Sequence, residues 1–355
     1  RIAFGDPVTE YINKIAKEIL KTQPQLLKEL QFYNLKSAQF NAASSPHGII
    51  FVNAGTFAYL ENEAQLAYVL CHEIAHYQLK HALNSYAENQ KTMKGKGIYG
   101  SMSLDQRIER YFSYKHENEM EADSVGIDLF LKTGYDPSEI KKALRTLHYY
   151  YLPFGNLPFN TDFFNTPDLT VPSVYFKNSV APITGIENES DEYQTHPNIL
   201  KRMNAIDRIL EQHEKRPGKK FIISEPDFTA LSKYCKFESL RLNILYKNYT
   251  QSIYIAYLLL QEFPGNEFLE VSIGKALYGL SKFRNTEEFH LVTKPFSKIE
   301  GESQQLFYFF RQITPEQLNT LAIRYLFDLR KKYGNIALLD HMETELIEED
   351  RKSVV

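Results

Sequence analysis

The chain has 355 residues, of which 43% are hydrophobic and 24% charged, and these ordinary fractions exclude a fibrous or a disordered protein. Its formal net charge of −3 argues against a nucleic-acid-binding protein, which would need a basic surface. Its length predicts two domains or one large one, and its two cysteines, Cys71 and Cys235, are too few for a disulfide framework.

The first hundred residues predict a helix, two short strands and a second, longer helix. Residues 7–20 carry apolar side chains at helical spacing, and Asp6, followed by proline, suits the N-cap. Residues 31–42 mix aromatic and polar side chains in a way more typical of a strand, and the apolar run 49–52 follows a turn signal. Residues 63–83 then predict one long amphipathic helix.

The middle of the chain predicts helices on both sides of an irregular insert. Residues 91–100, rich in lysine and glycine, are typical of a solvated loop, and helices are predicted over about 104–131 and 138–150. Residues 152–190 are rich in proline, asparagine, phenylalanine and aspartate with little periodicity, which is typical of a functional or disordered loop. A further helix is predicted to end near Lys215.

The C-terminal part of the chain predicts a second, helical domain. Apolar spacing indicates consecutive helices over residues 227–247, 250–262, 267–283, 302–312 and 315–333. Proline at the turns is similar to tetratricopeptide-type repeats, although an ordinary helical bundle fits nearly as well. The turn at 216–218 marks a boundary, so we expect domains at 1–216 and 219–355 and an α+β, mainly α, fold.

Residues 72–76, His-Glu-Ile-Ala-His, form the motif that carries chemistry. On a helix, His72 and His76 lie one turn apart on the same face, where both imidazoles can ligate one zinc ion. Glu73 then lies beside the metal, where it can deprotonate a water bound to it. The alternative is a surface helix with two solvated histidines and a solvated glutamate.

A catalytic zinc ion usually has a third protein ligand, which a second helix must supply here. Residues 119–123, Glu-Met-Glu-Ala-Asp, place Glu119 and Asp123 on one face of the predicted helix. That spacing suits a metal ligand and a carboxylate that holds a ligand histidine in place. Glu121 points elsewhere, but spacing alone leaves the choice between Glu119 and Glu121 open.

With these two motifs in this order, the sequence resembles the M48 metallopeptidases, a group of gluzincins with membrane-bound and soluble periplasmic members. The resemblance covers about residues 1–216 and implies a zincin-type fold with a small β-sheet and an active-site helix. It implies one Zn2+ per chain, with His72, His76 and Glu119 as its ligands. It also implies that Asp123 holds a ligand histidine in place without binding the metal itself.

A third element of the family is a His-Pro pair followed by an arginine, and His196-Pro197 and Arg202 match it. The resemblance implies that His196 stabilises the oxyanion, or occupies the fourth zinc position in a resting enzyme. It implies that Arg202 orients His196. Without the family, the His-Pro pair would more simply begin a helix.

The region before the active-site helix is similar to the edge strand on which family members bind substrate. It includes residues 40–42 and the expected substrate-binding residues Gly48, Ile49, Ile50, Phe51, Val52 and Asn53. An extended polypeptide can add to such an edge through backbone hydrogen bonds, with little sequence selectivity. The alternative is an ordinary core strand.

Together these features predict a zinc-dependent endopeptidase in which Glu73 activates the zinc-bound water. One alternative is a binding or chaperone scaffold, in which the helical domain recruits a protein partner and His196 inhibits the protease domain. Another is an exopeptidase. The remaining histidines, among them His81 and His116, are expected to be structural or solvent-facing.

We expect no transmembrane segment, since the longest unbroken apolar run, 254–260, is far too short to span a bilayer. The resemblance to the soluble branch then implies a periplasmic or other extracytoplasmic location. Because the chain begins with Arg1, we expect a missing N-terminal piece in which a signal peptide or a lipid anchor could have lain. The insert at 152–190 matches no family motif, and one hypothesis is that it covers the cleft.

Overall fold

A computed structural model describes residues 2–3, 5–185, 199–213, 217–284, 286–334 and 336–353. The fold is α+β and mainly α, as the sequence predicts. The chain forms two compact units, of which the first comprises Arg1–Tyr150 and Gly185–Lys236 and the second Tyr151–Thr184 and Phe237–Val355. Among the described residues, none of the helices combines the length and the apolar composition needed to cross a membrane.

The division into units differs from the predicted boundary at 216–218, which lies inside the first unit. The backbone at 222–224 donates hydrogen bonds to the buried carboxylate of Glu63, and this ties the segment after the boundary to the first unit. Such a pairing joins residues far apart in sequence, so composition at the turn does not reveal it.

Four strands form one mixed sheet in the first unit, in the order β1-β2-β4-β3. The strands are β1 (Ile2–Ala3), β2 (Gln31–Leu35), β3 (Ala42–Ser44) and β4 (Ile49–Asn53). β1 runs antiparallel to β2, β2 runs parallel to β4, and β3 runs antiparallel to β4. The strand predicted at 49–52 is therefore present, inside the sheet.

The prediction that the edge strand includes residues 48–53 is wrong. Ile49, Ile50, Phe51, Val52 and Asn53 make up β4, which pairs with β2 on one side and with β3 on the other. Gly48 lies in the turn before β4 with φ of 78°, a conformation that favours glycine. The turn folds β3 back along β4, so among the described strands the edge on this side is β3, which begins at Ala42, the last of the predicted residues 40–42.

The helices of the first unit surround one buried helix, α4. They are α1 (Pro7–Ile19), α2 (Pro24–Glu29), α3 (Ala54–Tyr59), α4 (Glu63–Gln78), α5 (His81–Lys94), α6 (Leu104–Phe130), α7 (Glu139–Tyr149) and α8 (Ile199–Glu211). The α1 prediction is confirmed, because the Asp6 carboxylate accepts hydrogen bonds from the backbone N–H groups of Val8 and Thr9. In α4, Leu66, Leu70 and Ile74 are fully buried.

The single helix predicted over 63–83 is two helices. α4 ends at Gln78, and Lys80 adopts a left-handed backbone with φ of 57° before α5 begins at His81. The segment predicted as a loop at 91–100 instead holds the last turn of α5 and a short 3-10 helix. Residues 79–80, where the helix breaks, include no glycine or proline, so the sequence does not predict the break.

The second unit is helical, and the predicted helices are present in it. Its helices are α10 (Tyr249–Glu262), α11 (Glu267–Arg284), α12 (Phe289–Val292), α13 (Gln304–Gln312), α14 (Pro315–Tyr333) and α15 (Ala337–Ser353), and α9 (Glu225–Leu245) spans the boundary between the units. Residues 152–184 of the insert belong to this unit, since Phe159, Phe164 and Phe176 are buried in its hydrophobic core. Their packing explains the aromatic composition of the insert.

Candidate metal centre

Two helices of the first unit bring together three side chains that could hold a metal ion. α4 carries His72 and His76, and α6 carries Glu119. The Nε2 atoms of the two histidines lie 3.0 Å apart. Oε2 of Glu119 lies 3.5 Å from Nε2 of His72 and Oε1 lies 3.4 Å from Nε2 of His76, so one carboxylate faces both imidazole nitrogens. One donor atom from each of the three side chains lies within 4.8 Å of the others.

The donor atoms and their spacing fit a zinc ion. Two imidazoles and one carboxylate form a donor set of catalytic zinc sites, in which a fourth position remains open. Donors at ~2.0–2.1 Å from a tetrahedral ion lie about 3.3–3.4 Å from one another. The two nitrogens here are 3.0 Å apart, and each lies 3.4 or 3.5 Å from one of the two oxygens of Glu119, which is close to that value.

His72 is held by a buried network on the side away from Glu119. Its Nδ1 lies 3.0 Å from Oδ1 of Asp123, which is 1% exposed. Arg202, on α8, donates to both carboxylate oxygens of Asp123 at 2.7 Å, and the Tyr68 hydroxyl donates to Oδ1 at 2.8 Å. The network fixes the orientation of the His72 imidazole, with Nε2 facing the metal-binding point.

The charges of this network shift the pKa values of its members. Burial would raise the pKa of Asp123, but the Arg202 guanidinium and His72 outweigh burial and hold that pKa well below its usual range. Burial would lower the pKa of His72, but the hydrogen bonds to Asp123 and Glu119 raise it to about 10. The raised pKa favours the protonated imidazole, and a metal would compete with that proton for His72.

Glu73 and Arg202 lie next to this arrangement. Glu73 follows the first histidine on α4 and is 8% exposed. Besides Asp123, Arg202 approaches Glu119, with Nη1 3.5 Å from Oε2. The predicted partner of Arg202, His196, lies outside the described residues. The contacts that the structure describes for Arg202 are thus with the carboxylates around the metal-binding histidines.

His81, expected to be structural or solvent-facing, is buried against one of the two histidines of the site, His76. Nδ1 of His81 lies 2.9 Å from Nδ1 of His76, and its Nε2 lies 3.2 Å from Oε2 of Glu121. A continuous helix would carry His81 to another face, but the left-handed turn at Lys80 directs the chain back. Glu119 is thus the carboxylate at the two metal-binding histidines, and Glu121 contacts His81.

The N-terminal end of α4 is anchored by buried polar groups. The Glu63 carboxylate accepts hydrogen bonds from the backbone N–H groups of residues 222–224 at 2.7 to 2.9 Å and from the hydroxyls of Tyr11 and Tyr135. The Asn62 side chain caps the helix by accepting from the Gln65 backbone N–H at 3.1 Å. These contacts hold the helix that carries both histidines.

Sequence reasoning misses two residues of the site, Tyr68 and His81. Tyr68 lies four residues before His72, so helical spacing places both on one face and was a usable signal. His81 had no comparable signal, because its position depends on the break at residues 79–80.

Two histidines one turn apart on a buried helix, joined by a carboxylate from a second helix, define a site of the metallopeptidase type. A model of Peptidase family M48 matches residues 8–210. This match covers more than half of the chain, and the chain belongs to peptidase family M48. The resemblance inferred from the two sequence motifs is therefore confirmed.

Relatives of this chain include bacterial proteases. The beta-barrel assembly-enhancing protease of Yersinia pestis is 27% identical over 161 residues, which make up 40% of this chain and 33% of the relative. The protein of the same name from Escherichia coli (strain K12) is 26% identical over 163 residues, or 41% of this chain and 34% of the relative. The match thus spans about a third of the length of these relatives.

Proposed function

We propose that this protein is a zinc-dependent endopeptidase that hydrolyses peptide bonds of protein substrates. The observation that carries the proposal is the convergence of His72, His76 and Glu119 at separations that suit one zinc ion. Membership of the M48 family supports peptide-bond hydrolysis as the reaction.

The residues divide the chemistry among them. A bound zinc ion supplies the charge that polarises the scissile carbonyl and makes the attacking water more acidic. Glu73 is the general base, which accepts the proton of the water and passes it to the leaving amine. Its place next to His72 and its low exposure support this role. Asp123 and Arg202 keep His72 oriented throughout.

By likeness to the family motif, His196 stabilises the oxyanion of the tetrahedral intermediate. The competing role, in which His196 occupies the metal at rest and keeps the enzyme inactive, predicts the opposite effect of removing it. His196→Ala should lower activity by about 10²–10³-fold if it is an oxyanion donor, and should raise activity if it is an inhibitory ligand.

The free side of β3 is the proposed place for an extended substrate. β3 contacts α4, so a polypeptide added to this edge would run beside the helix that carries the histidines. Backbone hydrogen bonds at residues 41, 43 and 45 face β4 in an antiparallel ladder, which leaves the N–H of Ser44 directed to the free side. Ser44→Pro should therefore weaken substrate binding while zinc binding is unchanged.

The test of the proposed function is Glu73→Gln. This variant should keep zinc, measured by metal analysis, and should lose cleavage of casein, and a chelator should abolish cleavage by the wild type. Glu117→Gln is the matched control, since Glu117 lies on α6, is exposed, and pairs with Arg110 at 2.9 Å. Full activity of Glu73→Gln contradicts the assignment. Mapping of the products separates internal cuts from the single-residue release of an exopeptidase.

We also propose that the helical second unit binds a protein partner and that the protein acts outside the cytoplasm. The names of these relatives, which refer to β-barrel assembly, support an extracytoplasmic role. Exposed apolar side chains on the second unit, Leu245, Tyr246 and Phe268, support partner binding. Fractionation of cells tests the location, and crosslinking from position 246 tests the partner.

A further inference from the structure

We propose that His81 and Glu121 form a hydrogen-bonded support that fixes the orientation of the metal ligand His76, so that His81 is a positioning residue of the metal centre. The proposal rests on the proposed zinc site. It assigns a role to His81, which lies outside both sequence motifs. It also assigns a role to Glu121, which lies inside the second motif, between Glu119 and Asp123.

The contacts connect the three side chains in one line. The two Nδ1 atoms of His76 and His81 are 2.9 Å apart, and the rings are nearly perpendicular, with centroids 4.9 Å apart and an angle of 73° between them. On its other side, His81 reaches Oε2 of Glu121 at 3.2 Å. His81 is 5% exposed, whereas 57% of the Glu121 side chain is exposed. The line therefore begins at the buried metal centre and ends at the surface.

The placement of protons along this line follows from the geometry. His76 directs Nε2 toward Glu119 and the other histidine, so a metal binds at Nε2 and the ring proton remains on Nδ1. That N–H can donate only to an acceptor, and Nδ1 of His81 is the atom in range. His81 then carries its own proton on Nε2 and donates it to the Glu121 carboxylate.

The two metal-binding histidines thus have different supports. His72 is held directly by the buried carboxylate of Asp123, which Arg202 neutralises. His76 is held by a neutral imidazole, and the charge of Glu121 acts on it from one side chain further away. A ligating histidine needs such a partner to fix its tautomer and ring angle, and the His81–Glu121 pair is the partner of His76.

The backbone places His81 in advance. The left-handed residue Lys80 turns the chain between α4 and α5, and His81 is the first residue of α5. α5 is fastened to α6, which carries Glu121, by a buried hydrogen bond from the Asn118 amide to the Ser85 hydroxyl at 3.2 Å. Both ends of the support therefore lie on helices that are fixed to each other before a metal binds.

The experiment compares zinc affinity in His81→Phe, His81→Gln and Glu121→Gln with the wild-type full chain, by competition with a chromophoric chelator. His81→Phe keeps a ring but removes both hydrogen bonds, and we expect zinc binding to weaken by about 10–100-fold. His81→Gln restores an acceptor for the N–H of His76 and should recover part of the affinity. Glu121→Gln should weaken binding less than His81→Phe, and the exposed control Glu117→Gln should not change it.

The visible spectrum of the cobalt-substituted proteins gives a second readout that a loss of stability does not imitate. His81→Phe should alter the ligand-field bands, and His81→Gln should return them toward those of the wild type. If His81→Phe does not fold, the comparison of His81→Gln, Glu121→Gln and wild type decides the matter. Zinc affinity within twofold of wild type and unchanged cobalt bands in these variants overturn the positioning role alone. A wild-type chain that binds no zinc overturns the proposed function as well.

Discussion

Among the carboxylates buried in the first unit, those of Glu63, Asp123 and Glu139 each accept several hydrogen bonds. The interior of the second unit is built mainly from aliphatic and aromatic side chains, among them the stacked rings of Phe176 and Phe309, whose centroids are 5.0 Å apart. Buried ion pairs gain little net stability, because the charges lose their hydration, but removal of one partner leaves a charge without compensation. The first unit is therefore built to hold the side chains around its metal centre in one arrangement, and the second is stabilised by packing.

The largest loss of stability is expected at Asp123, a buried carboxylate that is paired with a buried arginine. Asp123→Ala removes the carboxylate to which the guanidinium of Arg202, which is 2% exposed, donates at 2.7 Å, and leaves it only Glu119 at 3.5 Å. The variant should cost about 3–5 kcal/mol of unfolding free energy. Urea unfolding with a chelator present measures this loss without a contribution from metal. The double variant Asp123→Leu with Arg202→Met should recover part of it, because it removes both charges. A cost below about 1 kcal/mol of unfolding free energy for Asp123→Ala would contradict the view that the first unit depends on buried, paired charges.

A cavity in the second unit should cost somewhat less and should leave the metal centre unaffected. Leu277, on α11, is fully buried in the core, and Leu277→Ala should lower the unfolding free energy by about 2–4 kcal/mol. The matched control is Leu338→Ala on α15, where the side chain is 42% exposed and its loss should have little effect. Hydrogen exchange should report faster exchange within residues 237–353 of Leu277→Ala, and zinc affinity should match the wild type.

The dependence of stability on pH should come largely from the buried carboxylates of the first unit. Burial would raise the pKa of Glu139, but the hydrogen bonds from Lys142, Asn62 and Gln65 lower it to about 2. Because the folded pKa lies below the unfolded value of about 4.5, the contribution of Glu139 is fully present above that pH. It is lost as the pH falls toward about 2.

Glu139→Gln tests this sign. The variant should be less stable than the wild type at pH 6, and the difference should shrink as the pH falls from about 4.5 toward 2, since only the wild type loses the ionised carboxylate. Urea unfolding at several pH values, with a chelator present throughout, measures the difference. If the difference in unfolding free energy between the two proteins stays constant over that pH range, the charge of Glu139 does not cause the pH dependence.

The metal centre could be predicted from sequence to the extent that it depends on helical spacing. His72 and His76 share a face at any HExxH helix, and the family resemblance selects Glu119, which the structure brings to them. The position of His81 could not be predicted, because it depends on a left-handed Lys80 that carries no glycine signal. Because the helix breaks at residues 79–80, His81 contacts Glu121, whereas Glu119 lies at His72.

The sheet shows the same limit at longer range. The strand at 49–53 is predicted from its own residues, but its place inside the sheet depends on pairing with residues 31–35 and 42–44. The insert is similar: its lack of periodicity is real, yet Phe159 and Phe164 pack against Tyr257 and Phe309, which lie 98 and 145 positions further along the chain. The local sequence pattern predicts helices and strands. Contacts between distant segments determine which strand lies at the edge of the sheet and to which unit a loop belongs.

The smallest effect is expected at an exposed ion pair of the second unit. Lys332 lies 2.7 Å from both carboxylate oxygens of Glu270, but its side chain is 50% exposed. Lys332→Met keeps most of the aliphatic chain and should change the unfolding free energy by at most about 1 kcal/mol, because solvent screens the lost attraction. The Tyr333 hydroxyl still donates to Glu270 in that variant, so the carboxylate keeps a partner. If Lys332→Met costs nearly as much unfolding free energy as Asp123→Ala, burial does not explain the difference in strength between the ion pairs of the two units.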